Sequence, residues 1–94
     1  MDDENWSVDL VRQAKKYKVN LSLGALELFY LLVKELRESG PYRVGWPNYK
    51  PFNSTNFHCH IKKGRPTYVC CWKIDKKKRL IEIYYAGTHE KADY

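Results

Sequence analysis

Phe57-His58-Cys59-His60-Ile61-Lys62, Lys63-Gly64-Arg65-Pro66 and Thr67-Tyr68-Val69-Cys70-Cys71-Trp72 form one continuous stretch, and its reading decides the fold. The first segment alternates. Phe57, Cys59 and Ile61 are predicted on one face of a strand, and His58, His60 and Lys62 on the other. Lys63-Gly64-Arg65-Pro66 turns the chain. Tyr68 to Ile74 then reads as a second strand. Two imidazoles and an ammonium on one face, with more positive charge at the turn, suit a site that holds a phosphate and moves protons beside it.

Downstream, Asp75-Lys76-Lys77-Lys78-Arg79 is a charged hairpin connection. Leu80 to Ala86 is a third strand, with Ile81, Ile83 and Tyr85 expected in the core. Gly87 to Tyr94 reads as a polar tail.

Upstream, Trp6 to Val11 alternates as a first strand, with Trp6, Val8 and Leu10 on one side. Arg12 to Lys18 is helix-compatible. Leu23, Leu26, Phe29, Tyr30, Val33 and Leu36 follow helical spacing. Asn20 and Ser22 are candidate N-caps, and Ser39-Gly40-Pro41 ends the helix, predicted over about residues 22–38. Leu28, Leu31 and Leu32 widen its apolar stripe, so the helix is either wholly core or leaves surface for a partner. Residues 41–56 form a loop with Pro41, Gly45, Pro47 and Pro51. Its Trp46, Tyr49 and Phe52, interleaved with Arg43 and Lys50, suit either stacking on bases or pinning the loop, and pinning is preferred. The order predicts an α+β fold: a first strand, a helix pair and a three-stranded antiparallel meander, with helices on one face, as a single domain over residues 1–94.

Charge is uneven. Residues 1–40 carry six Lys/Arg and seven Asp/Glu, whereas residues 41–94 carry eleven against four, within a net charge of +6. One strongly basic half points to a polyanion partner, nucleic acid ahead of a merely solvated surface. No apolar run is long enough for a membrane span. Met1-Asp2-Asp3-Glu4 is unlike a secretion signal. Three cysteines without a CxxC pattern suggest free thiols in the cytoplasm.

The run from Phe57-His58-Cys59-His60 through Lys62-Lys63-Gly64-Arg65-Pro66-Thr67-Tyr68-Val69 and Cys71-Trp72 to Ile81-Glu82-Ile83-Tyr84-Tyr85-Ala86-Gly87-Thr88-His89-Glu90-Lys91-Ala92-Asp93-Tyr94 resembles the C-terminal half of RelE-type toxins of toxin–antitoxin systems. Gly40-Pro41 and Trp46-Pro47-Asn48-Tyr49 resemble the middle of that group. The resemblance implies the RelE/ParE fold, a ribosome-dependent endoribonuclease that cuts mRNA, and a cognate antitoxin. Lys62, Lys63 and Arg65 match the family's basic cluster, Tyr94 sits near its C-terminal Tyr, and His89 falls where a basic residue often follows the last strand. His58 and His60 depart from the pattern. The same fold includes gyrase inhibitors, so a protein target is the alternative, with a non-catalytic nucleic-acid-binding module as a third class.

Metal-free RNA cleavage needs a base for the 2′-OH, cations for the pentavalent phosphate and an acid for the 5′ oxygen. The expected catalytic set is His60, Lys62, Lys63, Arg65, His89 and Tyr94. His60 is placed ahead of His58, which lies nearer the strand entrance. Arg43, Lys50, His58, Lys73 and Lys91 are expected to contact RNA. No cofactor and no metal is expected. His58, His60 and His89 with Cys70 or Cys71 make a zinc-compatible set, but Cys70 and Cys71 oppose each other and nearby Lys and Arg repel a dication. The cysteines, mid-strand among apolar neighbours, read as core rather than nucleophiles.

Overall fold

A computed structural model describes residues 5–18 and 20–92. Among them the order is β1 (Ser7–Leu10), α1 (Arg12–Lys18), α2 (Leu23–Ser39), β2 (Lys50–Pro51), β3 (Asn56–Lys62), β4 (Tyr68–Asp75), β5 (Leu80–Thr88) and a short 3₁₀ turn (His89–Lys91). The fold is α+β, as the order predicted. The five strands form one sheet in the order β1-β5-β4-β3-β2. It is antiparallel except at β1, which runs parallel to β5 and pairs Val8 with Ile81 and Leu10 with Ile83. No helix among the described residues is long and apolar enough to cross a membrane.

The core lies between the helices and one sheet face. Ala25, Phe29, Leu32, Val33 and Leu36 of α2 bury against Phe57, Cys59, Ile61, Cys70, Trp72, Ile81 and Ile83. Ser22 caps α2 as expected: its side chain accepts from the Ala25 N–H at 3.2 Å. Gly40, at φ 92°, closes the helix by donating its N–H to the Leu36 carbonyl, in a backbone region that L side chains rarely adopt. Ser22→Ala should lower stability by about 1 kcal/mol, read as a lower denaturant midpoint at unchanged slope.

The long loop is pinned. Trp72 Nε1 donates to the Pro41 carbonyl (3.2 Å), and Trp46 Nε1 donates to Glu35 (2.8 Å). Tyr49 stacks near Phe57 and Trp72. Within the stretch expected to be loop, Lys50–Pro51 adds a two-residue edge strand beside His58 and Phe57.

Two register shifts break the simple alternation. One falls between Cys71 and Trp72 opposite β5, where Cys71 pairs with Tyr85 but Trp72 pairs with Ile83. The extra residue, Tyr84, moves Tyr85 off the core expected for it. Tyr85 instead joins Val69 and Cys71 in a second apolar cluster, against which Tyr84 and Ala92 pack, while Ala86 enters the main core. The other shift falls between His60 and Lys62 of β3. A bulge of this kind re-aims the side chain that follows it.

Candidate active site

Cross-strand pairing assembles the site. His58 pairs with Cys71, and His60 pairs with Val69, which in turn pairs with Gly87. The row through His60 therefore ends one residue short of Thr88 and two short of His89. The chain then turns, and the His89 N–H donates to the Thr67 carbonyl at 2.8 Å. This bond ties the end of β5 to the basic turn. The turn is itself closed by Thr67 Oγ1 donating to the Gly64 carbonyl at 3.0 Å, with Gly64 at φ 148° and the Arg65–Pro66 peptide cis.

The result is a hollow of about 550 Å³ lined by His60, Gly64, Arg65, Pro66, Thr67, His89 and Glu90. The His60 and His89 rings meet edge to face, with centroids 5.5 Å apart and planes at 72°. His58 continues the row, 6.4 Å from His60, and Phe52 stacks on His58 at 4.5 Å with planes 2° apart.

The two strand histidines play different parts. His58 is buried, and its Nδ1 lies 3.2 Å from the Lys50 carbonyl. Nδ1 must carry the proton there, since a carbonyl only accepts. His60 Nδ1 is buried with no hydrogen-bond partner among the described residues. An orphaned buried polar atom costs about 1–3 kcal/mol, so capping the sheet does not account for His60. Burial holds the pKa of both rings below the ordinary imidazole value. At His58 the Lys50 carbonyl bond opposes this shift, while the charges of Lys50 and His89 add to it. At His60 the charges of His89, His58 and Lys63 add to it.

The basic residues separate. Arg65 lines the hollow, and Lys63 reaches His60 through its field. Lys62 does not share the histidine face as expected. Past the bulge, its Nζ would lie 3.0 Å from a Cβ placed on Gly24, so the ammonium sits at the first turn of α2. Arg43, expected at RNA, instead donates to Glu35 at 3.1 Å and keeps only 17% of its side chain exposed. Lys50 flanks His58 at the sheet edge, and Lys73 is exposed opposite Asn56 and Glu82. Lys91 lines a separate hollow of about 210 Å³ with Tyr17, Asn20, Tyr85, Gly87 and Thr88. Tyr94 lies outside the described residues. Sequence reasoning missed Thr67 and Glu90, whose only signal was adjacency to Arg65-Pro66 and His89.

Among the described residues, no group of three or more His, Cys, Asp or Glu side chains is placed to hold a metal ion. The thiols are on opposite faces, Cys59 and Cys70 in the main core and Cys71 in the second cluster. Burial pushes Cys59 and Cys71 up to about 12, and Cys70 well above its ordinary value. Only thiolates react appreciably. Iodoacetamide should therefore leave all three unlabelled at pH 8 in the native state and label all three in denaturant, as read by intact mass.

No protein-family model and no curated protein matches the chain. Solved structures do. The RelE–RelB complex of Pyrococcus horikoshii aligns with a TM-score of 0.71 at 13% identity, covering 94% of this chain and 99% of that one. The Escherichia coli RelBE toxin–antitoxin complex aligns at 0.63 and 18%, covering 95% and 99%. A metal-bound toxin from Helicobacter pylori aligns at 0.61 and 18%, covering 94% and 99%. Superposition over nearly the whole of both chains at such low identity is agreement of architecture, and it establishes that this protein has the fold of the RelE toxins.

Proposed function

We propose that the protein is the toxin of a toxin–antitoxin pair and cleaves mRNA on the ribosome by metal-independent transesterification. The observation that carries this reading is the shared hollow of His60, His89 and Arg65 on a basic half-chain. His60, held neutral, takes the proton from the 2′-OH. The 2′ oxygen bonds to phosphorus and the bond from phosphorus to the 5′ oxygen breaks. His89 protonates that leaving oxygen. The products are a 2′,3′-cyclic phosphate and a 5′-OH. Arg65 offers a planar donor fork to the phosphate oxygens, and Lys63 adds positive charge.

The antitoxin finds its surface on α2. Leu23, Tyr30 and Leu31 are 77%, 50% and 45% exposed, which leaves apolar area beyond what the sheet covers. Solved structures of this fold include RelE–RelB and RelBE toxin–antitoxin complexes. An acidic segment encoded by the neighbouring gene is the expected partner, placed in the cytoplasm with the toxin.

The test is cleavage of ribosome-bound mRNA by purified protein stripped of bound metal by chelator and dialysis, assayed in ribosome buffer with Mg²⁺ as its one divalent cation. Cuts ending in cyclic phosphate are expected. Growth arrest with intact message, both on and off the ribosome, would overturn the nuclease reading in favour of a protein target such as gyrase.

A further inference from the structure

We propose that Tyr85 is a positioning residue whose hydroxyl holds His89 against His60; its part in cleavage rests on the ribonuclease reading. Both polar groups of the peptide joining Thr88 to His89 are engaged. The carbonyl accepts from the Tyr85 hydroxyl at 2.6 Å, and the N–H donates to the Thr67 carbonyl at 2.8 Å. A peptide unit is planar, so bonds at its two ends set its plane. The N–Cα bond of His89 starts from that plane.

The clamp acts where the strand is least supported. β1 pairs with β5 from Leu80 to Ile83, and beyond Ile83 the strand pairs with β4 alone among the described residues. His89 then opens a short 3₁₀ turn whose residues are all exposed, and Thr88 supplies no side-chain cap to it. A chain end of this kind is poorly ordered unless it is tied down. The His89 ring nevertheless stands edge to face with His60 in the hollow.

The bulge in β5 puts the hydroxyl in place. The row from His58 through Cys71 reaches Tyr85, and the row from His60 through Val69 reaches Gly87. Residues directly opposite each other share a sheet face, so Tyr85 stands on the histidine face rather than in the main core. Bulges beside active sites re-aim side chains in this way. The ring packs with Val69 and Cys71 and tilts against Tyr17 of α1, centroids 5.5 Å apart. Gly87 leaves room for it to cross towards Thr88. A Cβ at Gly87 would lie 2.7 Å from the Tyr85 hydroxyl oxygen and 3.0 Å from Cζ.

The experiment couples the hydroxyl to the imidazole. Single-turnover cleavage of ribosome-bound mRNA is measured for wild type, Tyr85→Phe, Gly87→Ala and His89→Gln, and for each of the first two substitutions combined with His89→Gln. Tyr85→Phe keeps the ring and removes the hydroxyl, whereas Gly87→Ala keeps the hydroxyl and displaces it. Each should lower the rate roughly 10- to 100-fold, the scale of a small misplacement of a reacting group, with RNA affinity unchanged. With His89→Gln already present, neither should lower the rate further, because the group being positioned is gone. A second readout is independent of cleavage. In isotope-labelled protein, the nuclear Overhauser contact between the His60 and His89 ring protons should be present in wild type and weakened in Tyr85→Phe and Gly87→Ala.

A wild-type rate in folded Tyr85→Phe, or an equal loss with and without His89, would overturn the clamp and leave the hydroxyl a bond that only stabilises the fold. A wild type that does not cleave removes the nuclease reading instead. The Overhauser contact then decides alone: its absence from wild type, or its persistence undiminished in Tyr85→Phe, overturns the clamp, and its weakening upholds it.

Discussion

His60→Gln is expected to lower the single-turnover rate of mRNA cleavage by about 10²–10⁴ while changing RNA affinity little. Gln keeps a polar side chain of similar reach but has no titrating nitrogen. His60 is the stronger candidate base because its Nδ1 is buried without a partner among the described residues, whereas His58 Nδ1 is engaged by the Lys50 carbonyl. Nε2 is then the His60 nitrogen available for the proton. His58→Gln should slow the reaction far less. Its lost bond to the strand edge would appear in stability instead. A near wild-type rate for both His60→Gln and His89→Gln, measured before steady state, removes the imidazoles from the mechanism.

The pH dependence follows from the same geometry. Burial, followed by the charges of His89, His58 and Lys63, lowers the His60 pKa. A base acts deprotonated, so the rate should hold as pH falls through about 6.5, the ordinary imidazole value, and decline only below it. Stability runs in the same direction. His58 and His60 both titrate lower in the folded state than in the unfolded one. Between the folded and unfolded values the unfolded chain binds more protons, so stability rises with pH there. The contribution is complete above about 6.5 and is lost as pH falls through the folded values. Circular dichroism at each pH separates loss of the base from loss of the fold.

Much of this was legible from local patterning. The stripe from Leu23 to Leu36, with Ser22 before it and Gly40 after it, marks α2 to within a residue of its observed ends. The alternation from Phe57 to His60 puts the imidazoles opposite the core. What was lost depends on pairing between distant segments. Lys50–Pro51 has no alternation and contains a residue without an N–H, so only contact with Phe57 and His58 makes it a strand. The parallel partnership of β1 with β5 leaves no trace in either segment. A bulge shifts period-2 facing by one residue without changing composition, and so Lys62 and Tyr85 were misplaced. Arg43 looked like any exposed cation until Glu35, one turn before the end of α2, was found beneath it. The convergence of His60, Arg65 and His89 was foreseen as chemistry, but the bond from the His89 N–H to the Thr67 carbonyl that enforces it was not.

The three cations of the basic turn, treated alike in the sequence, should separate on substitution. Arg65→Ala is expected to cost about 10²–10³ in single-turnover rate, the magnitude for removing one donor to a developing oxyanion in a closed site. Arg65 lines the hollow on a turn closed by Thr67 and Gly64, so the backbone that carries its fork is fixed beside the imidazoles. Arg65→Lys keeps the charge without the planar pair of donors and should recover only part of the loss. Lys63→Ala should act differently, because the Lys63 charge helps to lower the His60 pKa. Removing it raises that pKa, and the acid limb of the rate profile should move to higher pH with a modest change in maximal rate. Lys62→Ala should barely alter cleavage, since its ammonium lies at Gly24 on α2. Equal losses in Lys62→Ala and Arg65→Ala, with all variants folded by circular dichroism, would show that the turn works as diffuse charge and that Arg65 has no place at the reacting phosphate.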